Sequence, residues 1–151
     1  LRGDFDLTRD LGLLYANTEC GIFGVLPQEN RPEAVGEAIP VARRTEVRTG
    51  KAVILANCRG DEVCAYEIEI EKLYGGSAPT RNLLLRVTDP ALIALTGGIV
   101  QGMSGSPIVQ DGKLVGAVTH VLLDDPQRGY GILAENMLSA SGMTAQSAAS
   151  A

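Results

Sequence analysis

Cys64-Ala65-Tyr66-Glu67-Ile68-Glu69-Ile70-Glu71 alternates without a break. Cys64, Tyr66, Ile68 and Ile70 fall on one side of an extended chain. Glu67, Glu69 and Glu71 fall on the other. Successive side chains of a strand point to opposite faces, so this pattern marks a half-buried antiparallel strand. Three glutamates at every second position could suggest a metal site. Without partner ligands they read as a solvated face. Upstream, Lys51 to Cys58 is apolar, and Arg59-Gly60-Asp61-Glu62 has turn chemistry. The whole of Lys51 to Leu73 is therefore a hairpin, and its Arg-Gly-Asp is read as a turn and not as an adhesion signal.

Working outward, Leu83 to Val87 is a further strand. Asp89-Pro90 then opens a short helix through Leu95, with Asp as N-cap and Pro at the first helical position. Gly97-Gly98 ends it. Ile108 to Gln110 and Leu114 to Val121 form a second hairpin about Asp111-Gly112. Asp124 to Gly129 reads as a polar loop, Tyr130 to Ile132 as a short strand, and Ala134 to Ala140 as a closing helix stopped by Gly142. Cys20 to Leu26 reads as a buried strand, Pro27 to Pro32 as a loop, and Ala38 to Val47 as a candidate edge strand. Leu1 to Thr18 is an approach segment without clear periodicity. The total is eight or nine short strands and two short helices, for which an antiparallel barrel is the closed solution.

Composition agrees. Of 151 residues 18 are glycine, above the average of about 7%, and aromatics make up only 4%, which suits a turn-rich β protein. One domain's length is present. With 13 basic and 18 acidic residues the net charge is −5, which argues against a nucleic-acid partner. The one basic cluster, Arg43, Arg44 and Arg48, reads as a solvated strand face. No apolar run is long enough to span a bilayer. Cys20, Cys58 and Cys64 include no Cys-x-x-Cys, and His120 is the single histidine. A structural zinc site wants about four such ligands, so no metal and no cofactor are expected. Cys58 and Cys64 flank a turn and could be bonded or reduced. The chain opens at Leu1-Arg2-Gly3-Asp4 without an initiator Met, and is read as an excised or processed piece.

Chemistry concentrates in Gly102-Met103-Ser104-Gly105-Ser106-Pro107. A serine between glycines can take a sharply turned backbone that exposes its hydroxyl. The same turn can aim the amides of Gly102 and Ser104 at one point. Two such amides form an oxyanion hole, worth about 3–4 kcal/mol per donor to a tetrahedral intermediate. Alone, the motif is equally compatible with a plain glycine-rich hairpin loop.

The surrounding sequence resembles the nucleophile region of chymotrypsin-like serine proteases, and more closely the stage IV sporulation protein B peptidases. The similarity runs through VTDPALIALTGGIVQGMSGSPIVQDGKLVGAVTHV (87–121), DDPQRGYGI (124–132) and NTECGIFGVL (17–26). It implies a mainly β fold, a chymotrypsin-like antiparallel β-barrel (a partial double barrel) with two short helices. It implies a serine endopeptidase of the sporulation signalling type, which cuts itself and a membrane-associated regulatory protein through an acyl-enzyme. Ser104 matches the nucleophile and Asp89, fifteen residues earlier, the proposed triad acid. Gly102 and Ser104 would supply the oxyanion amides. Thr119 and His120 fall on the strand that pairs with substrate, and Gly98 falls at the floor of a specificity pocket, where the lack of charge does not support a Lys/Arg preference. The family's histidine lies upstream of these residues, so the 151 residues alone are expected to be nearly inert.

The peptidase domain, read as lacking its N-terminal part, is assigned to residues 1–142 and a flexible tail to 143–151. The expected partners are a protein or peptide substrate and, for self-association, a second copy of the chain. Membrane attachment would come only through segments absent from this chain. The resemblance places the protein outside the cytoplasm, between forespore and mother cell. The competing reading is a non-catalytic peptide-binding module on a protease-like barrel, engaging peptides by strand addition along Leu114 to His120.

Overall fold

The computed structural model describes residues 10–31, 37–60, 62–75 and 79–142. The strands are β1 (Leu13–Thr18), β2 (Gly21–Val25), β3 (Gly50–Arg59), β4 (Glu62–Leu73), β5 (Leu83–Val87), β6 (Pro107–Gln110), β7 (Lys113–Leu122) and β8 (Asp125–Leu133). Two helices, α1 (Pro90–Thr96) and α2 (Ala134–Ala140), follow β5 and β8. Short 3-10 turns occupy Gln28–Asn30 and Arg44–Glu46. Six strands close into an antiparallel barrel in the order β3-β4-β5-β8-β7-β6. The seam between β6 and β3 is made by Val53 opposite Val109 and Ile54 opposite Ile108. The fold is thus mainly β, a closed six-stranded antiparallel barrel with two short helices.

Alternation builds the barrel. On β4, Tyr66, Ile68 and Ile70 are buried while Glu67 and Glu69 are exposed. Its neighbours contribute Ala52, Ile54 and Ala56 from β3 and Leu83, Leu85 and Val87 from β5. Ile54, Ile70, Leu83, Leu85 and Ile108 are fully excluded from solvent. Each such side chain contributes on the order of 1.5–3 kcal/mol by leaving water. Buried polar groups tie the ends. Gln110 donates to the carbonyls of Arg48 and Lys51 and accepts the Arg48 amide. Asn82 accepts from the Leu133 amide and from Asn136, which anchors α2.

Several expectations are corrected. The 20–26 segment does form a strand, yet β2 pairs only with β1 in a separate two-stranded sheet and is largely exposed. Its partner β1 lies in the supposed approach segment, where Leu13, Leu14 and Tyr15 face solvent and so leave no periodic signature. Residues 38–47 are not a strand. They make one isolated β-bridge, Val41 to Leu114, bury Ala42 and Val47 in the core and pair Glu46 with Lys113, coiling through the 3-10 turn between. The basic cluster is therefore not on a strand face: Arg44 bonds Asn136 and Arg48 pairs with Asp111. The 124–129 loop is strand, since β8 begins at Asp125. Glu71 is more than a solvated carboxylate, being one-fifth exposed and paired with Arg86 and Arg128. Cys20, Cys58 and Cys64 are free thiols. The proposed tail, 143–151, and Pro32 lie outside the described residues.

Candidate active site

The segment from α1 to β6 forms one wall of the site. Asp89 caps α1, its Oδ1 accepting the amides of Ala91 (2.8 Å) and Leu92 (3.1 Å). Its Oδ2 accepts the amide of Glu67 on β4 at 3.1 Å. The carbonyl of Glu67 in turn accepts the amides of Thr88 and Asp89. A fully buried Leu92 then seats the helix on the core. The start of α1 is thereby fixed to the barrel wall before the chain reaches the loop.

Within the loop the amides divide into two sets. Met103 sinks its side chain into the core, and its N–H donates to the Val100 carbonyl at 3.1 Å. The Gly105 amide donates to Val118 O at 2.8 Å and the Ser106 amide to Met103 O at 3.0 Å. Among the described residues, the amides of Gly102 and Ser104 have no such partner. Gly102 and Gly105 have φ of 105° and 93°, which a Cβ would strain. Ser104 is exposed between them, and its hydroxyl donates to the Thr119 carbonyl on β7 at 3.0 Å.

Strand β7 forms the second wall. Its pairing with β6 ends at Ala117 opposite Pro107, while pairing with β8 continues through His120 and Val121. Beyond Val118, which still bonds Ser106, residues 119–122 have no strand on the edge facing Ser104 among the described residues. A cleft of about 380 Å³ lies there. It is lined by Ile99, Val100, Gln101 and Ser104 on one side and by Val118, Thr119, His120, Val121 and Leu123 on the other.

Of the residues singled out in the sequence, Ser104, Thr119 and His120 come together in this cleft, with Gly102 two residues from the serine. Gly98 does not line it. That residue is buried against β8, where a side chain would run into the Pro126 carbonyl, and the next residues, Ile99 and Val100, reach the cleft instead. Asp89 is also outside the lining, its carboxylate turned to the main chain of β4 and α1. The apolar wall residues Val118, Val121 and Leu123 were not singled out; their signal was position, in and just after the strand that follows the serine loop. No group of three or more His, Cys, Asp or Glu among the described residues is placed to hold a metal ion.

The chain thus combines a closed antiparallel barrel with an exposed serine on a glycine-flanked loop. The chain belongs to the SpoIVB peptidase S55 family, which matches residues 1–138. Among solved structures it is similar to the Rv3671c protease from M. tuberculosis. In the active form the TM-score is 0.57 at 21% identity, covering 88% of this chain and 59% of that one. In the inactive form the TM-score is 0.55 at 20% identity, covering 87% and 67%. The chain thus spans about three-fifths of the active-form protease it matches. No curated protein matches the sequence.

Proposed function

We propose that this domain is a serine endopeptidase in which Ser104 attacks a peptide carbonyl. The amides of Gly102 and Ser104 would receive the oxyanion. The observation that carries this reading is the division of amides in the loop. Those of Met103 and Ser106 bond within the loop and that of Gly105 bonds β7, while among the described residues those of Gly102 and Ser104, next to an exposed hydroxyl, have no such partner. A substrate strand would lie along the open edge of β7 at Thr119 and His120. Following the family, the substrates are the chain itself and a membrane-associated regulatory protein of sporulation, met between forespore and mother cell.

A serine hydroxyl needs a base to become a good nucleophile. The single imidazole, His120, sits on the substrate edge, so this reading draws the base from chain beyond these 151 residues. Asp89 is the proposed acid. In that role its Oδ2 must exchange the Glu67 amide for an imidazole N–H. A second reading, a peptide-binding module without catalysis, is favoured by the hydroxyl of Ser104 resting on the Thr119 carbonyl and not on a base.

The test is a fluorophosphonate probe together with peptide turnover, applied to a longer form carrying the upstream histidine segment. Labelling at Ser104, with turnover lost in Ser104→Ala, is the expected result. Without a base the 151 residues alone should retain only about 10³–10⁴-fold acceleration over water. An unlabelled serine in the longer form would favour the binding module.

A further inference from the structure

We infer that the cleft beside Ser104 selects an uncharged aliphatic side chain on the residue whose carbonyl faces the serine, with Ile99 setting the depth. This rests on reading the cleft as the peptide-binding site.

The floor comes first. Ile99 is 4% exposed yet lines the cleft, so its side chain forms the bottom. Its amide is held by the Pro126 carbonyl at 2.8 Å, which fixes the backbone beneath the cleft to β8. Opposite stands Gly129, also on β8. A Cβ built on Gly129 would lie 2.7 Å from Cδ1 of Ile99. Gly129 is buried, so the isoleucine packs against its bare backbone beneath the cleft. A long side chain entering the cleft would end against Ile99.

The walls decide the chemistry. Val118, Val121, Val100 and Leu123 are apolar, and among the described residues no Lys, Arg, Asp or Glu lines the cleft. Its side-chain polar groups beyond Ser104 and Thr119 are Gln101 and His120, both exposed. An ammonium, guanidinium or carboxylate driven into this space would give up water and meet no countercharge, which is strongly unfavourable. A valine or leucine side chain would instead bury its methyl groups against Ile99 and Val121.

The experiment uses the 151-residue protein and N-acetyl tetrapeptides of the form Ala-Ala-Ala-X with a free C-terminal carboxylate, where X is Val, Leu, Phe, Lys or Glu. Binding is followed by amide chemical shifts. The Val and Leu peptides should bind at least about tenfold tighter than the Lys and Glu peptides, given the desolvation of an unpaired charge. The largest shifts should fall at Ile99 and Val121. Ile99→Ala should raise affinity for the Phe peptide relative to Val by about tenfold, the discrimination a small change in pocket size provides. Because Ile99 also packs in the core, Leu123→Asp provides a second variant. Leu123 is 93% exposed on the turn after β7. A carboxylate there should favour the Lys over the Glu peptide by up to about fivefold, the ceiling for an exposed pair. Equal affinity across the five peptides, or shifts confined to residues outside the cleft, would overturn the inference. If the ranking appears and the longer form resists the fluorophosphonate, selectivity stands and the peptidase reading falls. If Ser104 is labelled and the peptide series is flat, the reverse holds.

Discussion

Asp89 offers the sharpest test of how the serine loop is held. Its carboxylate accepts three main-chain amides, two from the first turn of α1 and one from β4. Replacing Asp89 by Ala removes the N-cap, a loss of about 1 kcal/mol. It also strands the Glu67 amide, adding about 0.5–1.5 kcal/mol. The sum is about 2 kcal/mol, which for a domain of this size lowers Tm by about 4–8 °C. Asn is more informative. Its Oδ1 still caps Ala91 and Leu92, but an NH2 group then faces the Glu67 amide, donor against donor. The expected loss is about 1 kcal/mol, from the β4 bond alone. Urea unfolding followed by circular dichroism should therefore rank native above Asp89→Asn above Asp89→Ala. An Ala variant as stable as the native chain, or an Asn variant as damaged as Ala, would refute the division of roles between the two oxygens. Peptide turnover in the longer form adds a separate readout. A triad acid lost to Asn lowers kcat by about 10⁴-fold, far beyond what this destabilisation alone explains.

Two further outcomes follow from the barrel. Glu71 is acted on in opposite directions: burial pushes its carboxyl up, while hydrogen bonds from Arg86 and Arg128 outweigh that and hold it below the ordinary glutamate range. The folded state then binds fewer protons than the unfolded one across that window. Its stabilisation is complete above the unfolded value and is lost as pH falls through the folded one. The urea midpoint should drop on acidification through the carboxylate range, and Glu71→Gln should flatten that dependence; an unchanged slope would remove Glu71 as its source. On β4, Ile70→Ala should destabilise by about 2–5 kcal/mol, because the side chain is fully buried. The exposed Glu69→Ala should stay within about 0.5 kcal/mol, so comparable losses at both would contradict the register of the strand.

What the sequence made legible was whatever local chemistry dictates. β4 announces itself because one face is buried and the other wet. The Asp111-Gly112 turn forces a hairpin, with φ of 50° and 74° at its two residues. Asp89-Pro90 starts a helix because the carboxylate accepts the first-turn amides of Ala91 and Leu92. The elements that were misread are those imposed from a distance. The first half of β8, Asp125 to Gly129, is polar and contains a proline, so nothing local marks it as strand. It becomes one because β5 and β7 flank it, and because Arg128 reaches Glu71 across the sheet. β1 and β2 were obscured for the opposite reason: Leu13, Tyr15, Ile22 and Val25 are apolar and still exposed, so hydrophobicity and burial do not coincide.

The same contrast holds inside the candidate site. Ser104 and its glycines were readable because a φ near 100° at Gly102 and Gly105 leaves a trace in residue type. The pocket walls were not, since Ile99 and Val121 are ordinary apolar residues until β7 and β8 bring them together. Met103 joins the two levels. Its side chain belongs to the barrel core, and its own N–H and C=O close the bonds to Val100 and Ser106 that curl the loop. The residue between the two free amides is therefore the one that fixes the loop to the core. Met103 should tolerate Leu, which conserves volume and apolarity, better than Ala, which leaves a cavity under the serine. The orientation of Ser104 thus depends on core packing as much as on the glycines that flank it.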